Sequence, residues 1–113
     1  MRAGRQKRKL RIEKRGKVSD GGGGHDHLWI KVEEGIMARD ISLKGTEGVV
    51  GDLLAGKVTH RLTIRLSSRT RGLTNRHRLV DMRTGEVHDI KAVVPHERKP
   101  WLEVTTQTGG RVD

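Results

Sequence analysis

Residues 57–66 read Lys57-Val58-Thr59-His60-Arg61-Leu62-Thr63-Ile64-Arg65-Leu66. Val58, His60, Leu62, Ile64 and Leu66 fall on one side of a period-two repeat, and Thr59, Arg61, Thr63 and Arg65 on the other. Side chains alternate faces in this way along a β-strand. β-branched residues stand on both sides, which favours a strand over a helix.

The pattern extends in both directions. Upstream, residues 7–15 set Leu10 and Ile12 against Lys9, Arg11 and Glu13, predicting a first strand. Gly16 and the four glycines at 21–24 predict a flexible Gly-rich loop over residues 16–27. Leu28, Ile30 and Val32 then alternate with Trp29 and Lys31, and Ile36-Met37-Ala38 continues the strand, with Gly35 marking a bulge or bend. In residues 40–56, Val49, Val50, Leu53 and Leu54 share the spacing of one helical face. Gly45, Gly48, Gly51 and Gly56 oppose a helix there, each costing ~1 kcal/mol relative to Ala. The expectation is a long loop able to hold a helical turn, a type that is usually functional or disordered.

Downstream, residues 67–74 are a polar break and residues 77–82 a strand. Thr84-Gly85 is a tight turn, residues 86–94 are a strand stopped by Pro95, and residues 101–108 are the last strand. Residues 1–6 form a basic arm and residues 109–113 a loose tail. About six strands with few helices predict an all-β chain, a small antiparallel barrel or sandwich. Closure suits so short a chain because it removes exposed edges.

The 113 residues make one domain by length. Lys plus Arg number 24 against 14 Asp plus Glu, a net charge of +10, and only 32% of residues are hydrophobic. With two Trp and no Phe or Tyr, the core must come from Val, Ile and Leu. A monomer of this composition is only marginally stable, and oligomerisation would supply missing burial. Anionic partners would relieve its self-repulsion. The absence of Cys excludes disulfides, thiolate zinc sites and Cys nucleophiles, and fits assembly in a reducing cytoplasm. No apolar run is long enough to span a bilayer, so no membrane partner is expected. The basic N-terminus lacks an apolar stretch behind it and is not expected to act as a signal peptide.

The densest charge cluster is Arg2, Arg5, Lys7, Arg8, Lys9, Arg11, Lys14 and Arg15. It could grip nucleic-acid phosphates or an acidic protein surface, or form a solvated arm and strand face. Only Trp29 and Trp101 could stack on bases, which disfavours a dedicated single-strand reader. The glycines at 21–24 lack the Lys-Ser/Thr of a P-loop. His25-Asp26-His27 lacks a spaced third ligand, so no metal is expected. His60, on the apolar face of its strand, reads as a hydrogen-bonded histidine of the barrel wall rather than a catalytic base. His77, His88 and His96 are scattered. Ser19, Ser42, Ser67 and Ser68 sit in no nucleophile context, and the acids form no pair. Neither an enzyme nor a cofactor is expected.

Val58-Thr59-His60-Arg61-Leu62-Thr63-Ile64-Arg65 resembles the "VTHRVTIR" strand of the phage head–tail joining family, also called head-closure or stopper proteins. Met1-Arg2-Ala3-Gly4-Arg5, leading to Leu10-Arg11-Ile12, is similar to that family's opening. Ile36-Met37-Ala38 with Gly45 and Glu47 is similar to its "VWA…SGRE" segment. Arg78-Leu79-Val80 followed by Gly85, Val87, Ile90 and Val93 resembles a further segment, and His96-Glu97-Arg98-Lys99 before Leu102-Glu103-Val104 resembles its ending. The likeness runs over about residues 1–107. The chain departs from the family at His88 and Asp89, where an aromatic is usual, and in its glycine-rich residues 40–56.

The resemblance implies a small β-barrel assembling as a homo-oligomeric ring, expected to be a hexamer, at the head–tail interface of the virion. A portal–adaptor ring would lie above it and a tail or tail-terminator protein below, with assembly in the host cytoplasm. Double-stranded DNA would pass through without being read for sequence. The family's channel gate precedes its "VTHR" strand, which by position assigns Lys44, Gly45, Gly48, Val49, Val50, Gly51, Leu53 and Leu54. Glycine-rich backbone can hold two arrangements at small cost. Candidate contacts to DNA backbone or partner are Arg2, Arg5, Lys7, Arg8, Lys9, Lys44 and Lys57. The alternative is a free-standing basic nucleic-acid-binding barrel, oligonucleotide-binding or ribosome-associated.

Overall fold

The computed structural model describes residues 5–19, 25–43 and 56–109. They form six strands: β1 (Arg5–Ser19), β2 (His25–Leu43), β3 (Lys57–Arg65), β4 (His77–Asp81), β5 (Val87–Pro95) and β6 (Trp101–Gly109). No helix occurs among the described residues. All pairings are antiparallel, and the order β1-β2-β3-β6-β5-β4 closes on itself as a barrel because β4 also pairs with β1. Closure gives each strand hydrogen-bonded neighbours on both sides over its paired length, the expected solution for a chain with little apolar material.

The alternation along β3 is the wall of this barrel. His60, Leu62 and Ile64 are buried, while Arg61 and Arg65 are exposed. The same parity holds for Leu10 and Ile12 on β1, Ile36 and Ala38 on β2, and Leu102 and Val104 on β6. With Leu73, Leu79 and Ile90 these side chains make one continuous apolar core. Leu66, expected on the buried face, is 41% exposed. The β3–β6 ladder ends at Arg65↔Trp101, and the Leu66 amide instead bonds to the Pro100 carbonyl.

Gly35 sits at the bend expected of it. Leu10 pairs with Ile36 and Ile12 with Glu33, so Arg11 alone opposes Glu34 and Gly35. Gly35 takes φ 76°, a left-handed conformation that costs a residue with a Cβ about 1–2 kcal/mol. Thr84-Gly85 likewise forms the β4–β5 turn, where Gly85 (φ 77°) donates its amide to the Asp81 carbonyl at 2.8 Å.

β1 and β2 are longer than the apolar alternation suggests. Residues 16–19 and 25–27 are strand rather than loop, Arg5 and Gln6 are strand rather than arm, and Asp40–Leu43 and Gly109 continue their strands. Two neighbouring antiparallel strands satisfy each other's N–H and C=O groups whatever their side chains, so pairing outruns the pattern that signals burial. The remaining residues of the expected loops, 20–24 and 44–55, lie outside the described residues, as does the helical turn considered for 49–54.

Candidate functional site

One end of the barrel has an interior built from polar side chains. At this end β1, β3 and β5 begin while β2, β4 and β6 finish. The period-two repeat that turns Leu10 inward also turns Arg8 inward, and the same parity brings in Asp40 below Ala38 and His88 before Ile90. Thr106 and Thr108 follow Val104 inward in the same way. Arg8 Nε donates to Asp40 Oδ2, and Arg8 Nη1 donates to Asp81 Oδ2 at 2.7 Å. Asp40 Oδ1 lies 2.9 Å from His60 Nδ1, which must donate because a carboxylate can only accept. His60 Nε2 meets Thr108 Oγ1 at 2.9 Å, and His88 Nδ1 meets Thr106 Oγ1 at 3.0 Å. The two imidazoles lie 4.8 Å apart, tilted by 56°.

Each charge shift in this cluster is a contest between burial and pairing. Burial would raise the Asp40 carboxyl, but hydrogen bonds from His60 and Arg8 outweigh it and hold its pKa below the usual value. Asp81 is held down against burial in the same way, by Arg8 and by the amides of Arg83 and Thr84. Burial opposes the Arg8 charge, and its two carboxylate partners more than compensate. His88 is fully enclosed. Burial foremost, then the nearby His60 and Arg8, pushes its pKa down to about 4, so it is neutral at pH 7. Its Nε2 has no hydrogen-bond partner and stands 3.6 Å from Glu86 Oε1.

This cluster lies inside the barrel end, largely away from solvent. His60, Asp40 and His88 have almost no solvent exposure, and among the described residues no His/Cys/Asp/Glu group has metal-holding geometry. What it can do is fix the end of the barrel from which the connection between β2 and β3 departs. Leu43 pairs with Thr59, so that connection leaves and returns on neighbouring strands at the polar end. The candidate gate residues Lys44, Gly45, Gly48, Val49, Val50, Gly51, Leu53 and Leu54 lie outside the described residues.

The expected contact residues divide. Lys7, Lys9 and Lys57 are exposed. Arg8 is turned inward and committed to Asp40 and Asp81, so it is not a free surface cation. Its parity with Leu10 and Ile12 was the sequence signal for this, masked by the run of basic residues around it. Arg5 belongs to β1, and Arg2 and Lys44 lie outside the described residues.

Several other cations also have structural duties. Glu13, which is buried, accepts from Arg11 Nε and Arg78 Nε at 2.7 Å each. These two bonds outweigh burial and keep its pKa low. Arg78 lies over the Trp29 ring at 4.3 Å, with Arg15 at 5.6 Å, and Arg65 lies 5.9 Å from the Trp101 ring. Both indoles are thus engaged by guanidinium groups, contacts worth roughly 0.5–1 kcal/mol each at exposed sites. That use competes with base stacking.

Three comparisons with known proteins bear on the site. The sequence model of a family described as phage head completion protein matches residues 1–109. No curated protein sequence matches the chain. Among solved structures, a chain of the virion of a native gene transfer agent particle superposes with a TM-score of 0.62 at 21% identity. The match covers 90% of this chain and 93% of that one, and at this identity it speaks to the fold.

Proposed function

The chain belongs to the phage head completion protein family, and from that premise we propose that it forms a ring at the base of the portal channel that retains packaged DNA. Its role is structural, as a connector that completes the head at the head–tail interface of the virion. In the proposed assembly the ring is a hexamer, with a portal–adaptor ring above and a tail or tail-terminator protein below. No catalytic step is assigned to it. The particle is a tailed phage or a phage-like one.

The observation that carries the gating part of this reading is where the β2–β3 connection is rooted. Its two ends are paired strands, Leu43 against Thr59, set in a barrel end cross-braced by Arg8, Asp40, His60 and Thr108. A movable segment can act as a gate only if its roots stay fixed while it changes arrangement. Exposed Lys57 at one root, together with Lys7 and Lys9 on β1, would meet DNA phosphates without reading bases.

Deleting residues 47–54 should leave the barrel folded and let particles assemble. Those particles should lose DNA, measured as nuclease-accessible genome per particle. Retention equal to that of the parent particles would refute the gate assignment.

A further inference from the structure

β4 accompanies β1 only from Leu10 to Lys14, while β2 stays paired with β1 as far as Ser19. Past Lys14, β1 therefore has one bonded edge and one that no strand covers among the described residues. Parity fixes what that open edge presents. The Met82 amide donates to the Lys9 carbonyl, so Lys9 turns its backbone groups toward β4. The register with β4 runs without a shift, and successive residues of a strand present N–H and C=O to opposite sides. Arg11 and Glu13 thus face β4, and Arg15 and Lys17 each offer a donor and an acceptor to the open edge.

A cleft of about 630 Å³ opens where β4 ends, between β1 and the connection that leads into β4. Lys14, Arg15, Trp29, Thr74, Arg76 and His77 line it, and no acidic residue does. Lys14, Arg15, Lys17 and Arg76 are exposed. None of the four has a carboxylate within ion-pair distance among the described residues, whereas Arg11, Arg78, Arg69 and Lys31 around them each have one. The Thr74 amide donates to His77 Nδ1 at 3.2 Å, so the proton of that neutral ring is on Nε2, a further donor at the cleft.

We infer that this cleft is a docking site for an extended acidic segment of a partner protein, which adds to the open edge of β1 as a further strand. Such docking needs neither a ring nor a gate and is a property of the single chain. Charge selects acidic side chains. Arg15 and Lys17 share one face of β1, and a residue opposite either of them in an added strand stands about 5 Å away, within reach of a carboxylate. Acids at alternate positions would meet both, and would relieve the mutual repulsion of the four unpaired cations. The same charges bar a second copy of this stretch, which would set Lys and Arg against Lys and Arg.

Two observations select a peptide over DNA. The open edge presents carbonyl acceptors as well as amide donors. A peptide backbone matches both, as in strand addition to a sheet edge, while a DNA backbone only accepts. The aromatic surface at the cleft is also occupied, because Arg78 and Arg15 lie over the Trp29 ring at 4.3 and 5.6 Å. A base would have to displace them in order to stack.

The test uses the full chain and a fluorescent peptide of alternating Thr and Glu, with binding followed by anisotropy at low salt, about 50 mM. The peptide should bind, and hydrogen exchange of the Arg15 and Lys17 amides should slow when it does. Arg15→Gln with Lys17→Gln changes only exposed side chains, should keep the fold by circular dichroism, and should weaken binding by about tenfold. Lys91→Ala, which removes an exposed cation on β5, should leave binding unchanged. Several results would overturn the assignment. Absence of binding is one, and binding without slowed exchange at Arg15 and Lys17 is another. Equal weakening by Lys91→Ala would show diffuse charge attraction instead of a site. A DNA duplex that displaces the peptide, binds more tightly and is weakened by the same double substitution would make the cleft a nucleic-acid site. Each of these failures would leave the connector role standing, since that role is read in particles and this binding in the isolated chain.

Discussion

Replacing Arg8 by Met keeps the length of the side chain and removes its charge from the polar end of the barrel. In the parent chain the guanidinium serves two carboxylates at once, Asp40 and Asp81, whose side chains are 2% and 4% exposed. Without it both stay buried with fewer partners. Removing one partner of a buried ion pair typically costs about 3–5 kcal/mol. Asp40 keeps the His60 bond and Asp81 keeps the amides of Arg83 and Thr84, while Arg8 itself is 13% exposed. The lower end, about 3 kcal/mol, is therefore expected. At about 4–8 °C per kcal/mol for a domain of this size, the thermal midpoint should fall by roughly 10–25 °C.

The pH dependence identifies the cause. Both carboxyls have depressed folded pKa values, so their contribution is present above the unfolded value of about 3.9 and is lost as pH falls through the folded values. The gap between Arg8→Met and the parent should thus be widest near pH 7 and narrow below about pH 4. Urea denaturation at pH 7 and pH 3.5 measures it, with Asp40→Asn added to Arg8→Met expected to recover part of the loss. A gap below about 1 kcal/mol, or one that does not change with pH, would refute the account.

His88→Gln should flatten a second pH response. The folded pKa of about 4 lies below the unfolded value of about 6.5, so the stability due to a neutral His88 is complete above pH 6.5 and is lost as pH falls toward 4. At ~1.4 kcal/mol per unit this is a few kcal/mol, shared with the groups around it, His60, Arg8, Asp40, Asp81 and Glu86. The urea midpoint between pH 7 and 4.5 should fall less in the variant than in the parent. Gly35→Ala places a Cβ at φ 76° and should cost about 1 kcal/mol in denaturant unfolding.

The sequence alone determined the strands and the class of fold. Period-two alternation at residues 57–66 needs no neighbours to be read, because a side chain's face along a strand follows from backbone geometry. The same rule placed His60 among the wall residues, where it is held by Asp40 and Thr108. Gly35 was legible as a bulge because few other residues tolerate that backbone. Only the tertiary structure decided what the charges do. Arg8 sits within a basic run that reads as surface, yet its partners Asp40 and Asp81 lie 32 and 73 residues away, a pairing that appears only once the barrel closes. The extent of β1 and β2 was hidden for a related reason. Their outer halves form a ladder through backbone groups that every residue carries, so nothing in the side-chain pattern marks where their pairing with β3 and β4 stops and their pairing with each other continues.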